Sequence, residues 1–166
     1  IVQTPLEALK TIVHERLRDY LLEDFKAKQK REKVGNLVYV IHNPGISEIA
    51  STVQSVLEKN NSTVIRPDFE GTQVSVLDKH RDNLVMAEAI VIIVNENKNW
   101  FNIMLNDIIK SPGFGRRKPF KTIAVLSLNK KITKDHLNHL DNSELIHLKD
   151  NKITEDILKP VLSKLK

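Results

Sequence analysis

Apolar residues recur along the chain in two rhythms. Leu6, Leu9, Val13, Leu17, Leu21 and Phe25 are three or four apart, which is one face of a helix. Thr4-Pro5-Leu6-Glu7 supplies its start: a capping hydroxyl, a proline at the first helical position and a glutamate where a capping box places one. The tail at 26–33 is polar, and Gly35 ends it. Leu37-Val38-Tyr39-Val40-Ile41 is then a continuous apolar run, as a strand buried on both faces requires. The spacing predicts a helix over 47–59, with Ile49, Val53, Val56 and Leu57 inward, and a short strand over 63–66 closed by Pro67. A helix over 73–87 has Val74, Leu77, Leu84 and Val85 as its apolar set. Residues 89–94 form a third strand, 100–109 an apolar helix and 122–128 a fourth strand. A short helix near 134–140 leads to a weak fifth strand at 145–148. The last helix holds Ile157, Leu158, Val161, Leu162 and Leu165, and Pro160 is expected to kink it or delay its start.

Strands that alternate with helices predict a parallel sheet covered on both faces. The expected fold is therefore α/β and three-layered, flavodoxin-like, with a five-stranded parallel sheet in the order 2-1-3-4-5 and an extra N-terminal helix. Residues 1–34 are the helical extension and 35–166 the domain proper. In this order the ligand crevice opens at the carboxyl ends of strands one and three. Those ends are His42-Asn43-Pro44-Gly45 and Asn95-Glu96-Asn97.

The 166 residues are 40% apolar, enough for one continuous core. No apolar run approaches the ~20 residues of a membrane helix. No basic segment followed by an apolar one opens the chain, so no secretory signal is expected. The chain lacks cysteine, which removes disulfides, thiolate nucleophiles and cysteine metal sites. A cytoplasmic setting is expected. The start at Ile1 rather than Met suggests a piece of a longer protein. Charge is uneven: net +5 overall, but +7 over 110–131 alone, a segment without an acid. A local basic patch points to an anionic partner, with a solvated basic loop as the plain alternative. Nucleic acid is the weaker reading, because the patch lacks paired aromatics on which bases could stack.

Several occupants of this architecture do not fit. A phospho-accepting receiver needs acids after strand one and an aspartate after strand three, where this chain has His42 and Asn95. A flavin phosphate needs a hydroxyl-rich loop after strand one, which His42-Asn43-Pro44-Gly45-Ile46 does not provide. Neither glycine-rich nucleotide fingerprint occurs. No metal site is expected: His136 and His139 are three apart but have no third ligand at a usable spacing. His42 falls at the crevice mouth, where a titrating imidazole can act; the alternative is a strand-end histidine bonded to a backbone carbonyl. Glu70, His80 and Arg81 would face the crevice if the loop after strand two folds over it, and otherwise belong to a solvated surface.

These residues carry a resemblance. Leu37-Val38-Tyr39-Val40-Ile41, Phe69-Glu70-Gly71, His80-Arg81-Asp82-Asn83-Leu84, Ala89-Ile90-Val91-Ile92-Ile93-Val94, Asn99-Trp100-Phe101 and the stretch from Ser111-Pro112-Gly113-Phe114-Gly115 through Arg116, Arg117, Lys118, Pro119 and Phe120 resemble a divergent bacterial TIR-like domain. Such domains are often fused to STAND-type NTPase and repeat modules. The resemblance implies a signalling or bacterial-defence role through self-association or contact with other domains of a parent protein. It also implies an alternative, cleavage of NAD or a related nucleotide. Active members carry a glutamate four residues after a tryptophan that opens the helix following strand three. Here Trp100 is that tryptophan and the fourth residue on is Met104. NAD cleavage is thus expected to be absent or very slow, unless Asp107 or Glu70 substitutes for the carboxylate. The expected crevice set is His42, Asn43, Glu70, His80, Arg81, Asn95 and Trp100, with no resident cofactor but room for NAD or another nucleotide. Gly113, Gly115, Arg116, Arg117 and Lys118 form a cationic loop that enters strand four at its amino end, away from the crevice, and so reads as a docking surface.

Overall fold

A computed structural model of the chain describes residues 9–10, 12–18, 36–149 and 153–165. The chain divides into two units, 1–34 and 35–166. In the first, residues 9–10 and 12–18 are helical. The start of that expected helix at Thr4-Pro5 and its polar tail at 26–33 lie outside the described residues.

The second unit is an α/β domain. Its strands are β1 (Leu37–Ile41), β2 (Thr63–Ile65), β3 (Ala89–Val94), β4 (Ile123–Ser127) and β5 (Ser143–His147). Its helices are α1 (Ser47–Lys59), α2 (Gln73–Met86), α3 (Lys98–Lys110) and α4 (Glu155–Lys164). All pairings are parallel, and the order is β2-β1-β3-β4-β5. The flavodoxin-like arrangement expected from the sequence is the one observed. β1, β3 and β4 are buried at every position, because helices cover both faces of the inner strands. Alternate side chains divide between two apolar layers. Val38, Val40, Val91 and Ile93 pack with Val53 and Leu57 of α1 and with Leu158 and Val161 of α4. Tyr39, Ile41, Ile90, Ile92 and Val94 pack with Leu84 of α2 and with Phe101, Leu105 and Ile108 of α3.

Local chemistry fixes the helix starts around the crevice. Thr72 caps α2 by accepting from the Ser75 amide, and Asn97 caps α3 by accepting from the Trp100 amide at 3.0 Å. Gly71, just before α2, has φ +111°, and a Cβ there would lie 2.8 Å from the Ser75 hydroxyl. Gly71→Ala is therefore expected to destabilise the domain by about 1–2 kcal/mol in chemical denaturation, without changing its secondary structure. Unchanged stability would mean that the loop reshapes freely.

Four elements differ from the sequence expectation. Residues 134–137 form a 3-10 turn, not a helix to residue 140. β5 starts at Ser143, ahead of its apolar stretch, because its register follows β4 from Ile123 onward. α4 begins at Glu155 and carries Pro160 within it, so its start is not delayed. In α2 only Leu84 is buried, while Val74 and Leu77 are exposed. Polar groups share the inner face of α2 with Leu84, and His80 there meets the Tyr39 hydroxyl.

Candidate functional site

The carboxyl ends of β1, β3 and β4 carry a network of amides around one histidine. Asn43 donates from its side-chain amide to the Asn95 side-chain oxygen at 3.3 Å, and the backbone amide of Asn97 donates to that same oxygen at 3.1 Å. Asn129, just past β4, donates to the Asn95 carbonyl at 2.9 Å. His42 stands beside this network and is only 1% exposed. Its Nδ1–H donates to the Asn43 carbonyl at 2.8 Å, so the plain reading of a strand-end histidine on a backbone carbonyl accounts for one ring nitrogen. A carbonyl can only accept, so the neutral ring carries its proton on Nδ1 and presents a lone pair at Nε2. That Nε2 is buried and has no hydrogen-bond partner. Burial lowers the proton affinity of His42; the Asn43 carbonyl opposes this, and the nearby Arg66 charge lowers it further.

The loop between β2 and α2 closes one side of the crevice. Phe69 lies edge-on to the His42 ring, with centroids 5.3 Å apart. Asp68 fastens the loop by accepting from the Glu70 amide at 2.9 Å and pairing with Lys79 of α2. Arg66 donates to the Ser51 hydroxyl of α1 at 2.7 Å. Glu70 itself is exposed.

Of the expected crevice set, the structure brings together His42, Asn43 and Asn95, and sets Trp100 half-buried at the start of α3. His80 and Arg81 take different places. His80 turns into the interior, where it meets Tyr39 and Asp107, while Arg81 keeps the half-exposed helix surface. The Tyr39 hydroxyl lies 2.9 Å from His80 Nδ1, and His80 Nε2 lies 3.6 Å from Asp107 on α3. Burial lowers the His80 proton affinity, Asp107 opposes that, and Arg81 adds to it. Burial also raises the Tyr39 phenol above its ordinary range, with Asn83 bonded to it. Arg81 turns the other way, pairing with Asp78 and lying 5.2 Å from the Phe114 ring centre.

Asp107 lies on the His80 side. It is the tenth residue of a helix that starts at the crevice and runs back along the sheet, roughly 14 Å from the helix start at 1.5 Å per residue. Its carboxylate lies 3.6 Å from His80 Nε2.

The loop 111–120 divides into two parts. Gly115, at φ +106°, closes the 3-10 turn Ser111–Phe114. Arg117 and Lys118 are exposed, as a docking loop requires. Arg116 is corrected: its guanidinium donates to the carbonyls of Leu84 at 2.9 Å, Val85 at 3.3 Å and Ala87 at 2.5 Å, and stacks 3.5 Å from the Phe120 ring centre. It satisfies the carbonyl end of α2. Burial draws its pKa down from 12.5 to about 10, so it stays charged at neutral pH.

A separate groove of about 380 Å³ follows β5, lined among others by Lys134, Leu137, Asn138 and Pro160, two strands away from β3. Among the described residues, no three His, Asp or Glu side chains gather as metal ligands, and no helix is long and apolar enough to cross a membrane. No protein-family model matches the chain, and no curated protein matches it significantly.

Sequence reasoning did not single out Arg66, Asn129 or the role of Phe69 at this site. Arg66 directly follows β2 and Asn129 is two residues past β4, and that position was the available signal.

Proposed function

We infer that this chain is a TIR-like signalling or assembly module that acts by associating with further copies of itself, as part of a bacterial defence or signal-transduction protein, rather than by cleaving NAD. One observation carries the reading. Val74 and Leu77 of α2 and Ile103 of α3 are 70%, 40% and 56% exposed. They lie on neighbouring helices, joined where His80 meets Asp107. Leu77 is one turn before His80, and Ile103 one turn before Asp107, so the two stand at one level. Apolar side chains clustered in this way favour contact with another protein surface.

The resemblance supports the same reading from the chemical side. Met104, at the position of the active glutamate, is partly buried against the apolar layer. Asp107 is engaged with His80, and Glu70 is exposed. The position four residues after Trp100 thus lacks the carboxylate that would stabilise the positive charge growing as nicotinamide leaves.

Analytical ultracentrifugation across a concentration series tests association, and nicotinamide release tests catalysis. The expected result is reversible association that Leu77→Glu with Ile103→Glu abolishes, with NAD turnover at background. A wild-type chain that stays monomeric throughout rejects the assembly reading. Robust turnover abolished by Glu70→Gln or Asp107→Asn would establish the enzymatic alternative in its place.

A further inference from the structure

We propose that the crevice at the carboxyl ends of β1 and β3 binds a small phosphorylated sugar, with His42 Nε2 accepting a sugar hydroxyl and Arg66 and the amino end of α1 holding the phosphate. This site is distinct from the exposed apolar face of α2 and α3, and stands or falls separately from it.

The argument begins with one atom. His42 is 1% exposed, its Nδ1–H is committed to the Asn43 carbonyl, and its Nε2 is buried without a partner. A buried polar atom with no partner is uncommon, because its lost hydration is not replaced. In the neutral ring Nε2 is an acceptor, so the group that completes it must donate. The lowered proton affinity keeps the ring in that form at neutral pH. A hydroxyl supplies the donor; a bare phosphate dianion or carboxylate does not.

The surroundings specify the rest of the ligand. No side chain caps the 3-10 turn Pro44–Ile46 or α1, whose amino end adjoins His42. The amino end of a 13-residue helix is an electropositive site for a phosphate, which Glu48 in its first turn offsets in part and which the Arg66 charge must therefore complement. Arg66 brings a guanidinium to the same side: it reaches Ser51 in the second turn of α1, and its charge acts on His42. A phosphate between Arg66 and the helix end leaves a neighbouring hydroxyl to meet Nε2. On the other side, Asn43 and Asn95 are joined amide to amide, offering neutral donors and acceptors to further hydroxyls. Phe69 shields the ring and is 45% exposed. It is the side chain that an entering ligand displaces, and its face then becomes an apolar wall against the sugar.

The test uses the whole chain with ribose 5-phosphate, ribose and inorganic phosphate as probes. Calorimetry gives affinities, and nitrogen NMR of the histidine rings reports Nε2 directly. Ribose 5-phosphate is expected to bind and to move the His42 Nε2 resonance, while inorganic phosphate binds more weakly and leaves it in place. His42→Phe removes the acceptor and is expected to weaken ribose 5-phosphate roughly tenfold, the worth of one hydrogen bond, without weakening inorganic phosphate. Arg66→Gln is expected to weaken both roughly tenfold or more. Because Arg66 lies outside the core, it serves even where the His42 variant folds poorly. Absence of ribose 5-phosphate binding overturns the proposal. So does equal affinity for ribose 5-phosphate and phosphate with an unmoved Nε2 resonance. The oligomeric state enters none of these readouts, so failure here leaves the association reading untouched.

Discussion

Arg116→Ala is expected to lower the stability of the domain by about 3 kcal/mol, as charge-assisted bonds to partly buried carbonyls are lost together. The substitution leaves the carbonyls of Leu84, Val85 and Ala87 without the guanidinium that now bonds them. It also strips the Phe120 ring of the cation stacked on it. Arg116→Lys keeps the charge but not the planar fork, and should recover only part of the loss. Arg117→Ala, one residue away but exposed, should change stability by less than about 0.5 kcal/mol. Denaturant midpoints of the three variants check this. Equal stability of Arg116→Ala and wild type would show that water replaces the guanidinium freely. The contrast also decides how the loop is used: an effect of Arg117 and Lys118 on association, with the fold intact, belongs to docking, whereas any effect of Arg116 reaches the fold first.

Tyr39→Phe should cost about 2 kcal/mol, because it removes a buried hydroxyl and leaves His80 Nδ1 unpaired inside the domain. The same cluster gives stability a pH dependence. His42 and His80 both have folded-state proton affinities below the ordinary 6.5. As pH falls through 6.5, the unfolded chain takes up protons that these two folded-state rings resist. The stability they confer is therefore fully present above that value, and is lost as pH falls from it toward the lowered folded-state values. Tyr39 and Asp107 face His80 and the Arg81 charge acts on it from the helix surface; Asp107 limits the effect by favouring the charged ring. Denaturation midpoints should thus decline as pH falls below about 6.5, and His80→Gln should flatten the decline without abolishing it, since His42 remains. An identical slope in His80→Gln would mean that His80 gains a proton in the folded state as readily as in the unfolded chain.

The amino-acid sequence by itself determined the architecture. Uninterrupted apolar runs such as Leu37–Ile41 and Ala89–Val94 have no polar face to give to water, so they must be interior strands. Helices between them force parallel pairing and place His42 and Asn95 at neighbouring strand ends, which the register of β1 with β3 realises. Weak elements were read less well. β5 is an edge strand whose extent follows its pairing with β4, and that pairing cannot be read from local composition.

What the tertiary structure alone decided was the direction and partner of each polar side chain. His80, Arg81 and Asp107 have helical spacings that suit a surface as well as an interior. Only the approach of α2 to β1 and α3 made His80 the partner of Tyr39 and Asp107. Arg116 sits in a cationic run that resembles a docking loop. Only the fold brings the open carbonyls at the end of α2 within its reach, 29 to 32 residues away along the chain. Hydrophobic periodicity is written locally, because burial acts on each element's own face. Hydrogen bonds between distant segments depend on distances of a few ångströms that local sequence does not encode, and these separated the three crevice residues that assemble from those that serve the core.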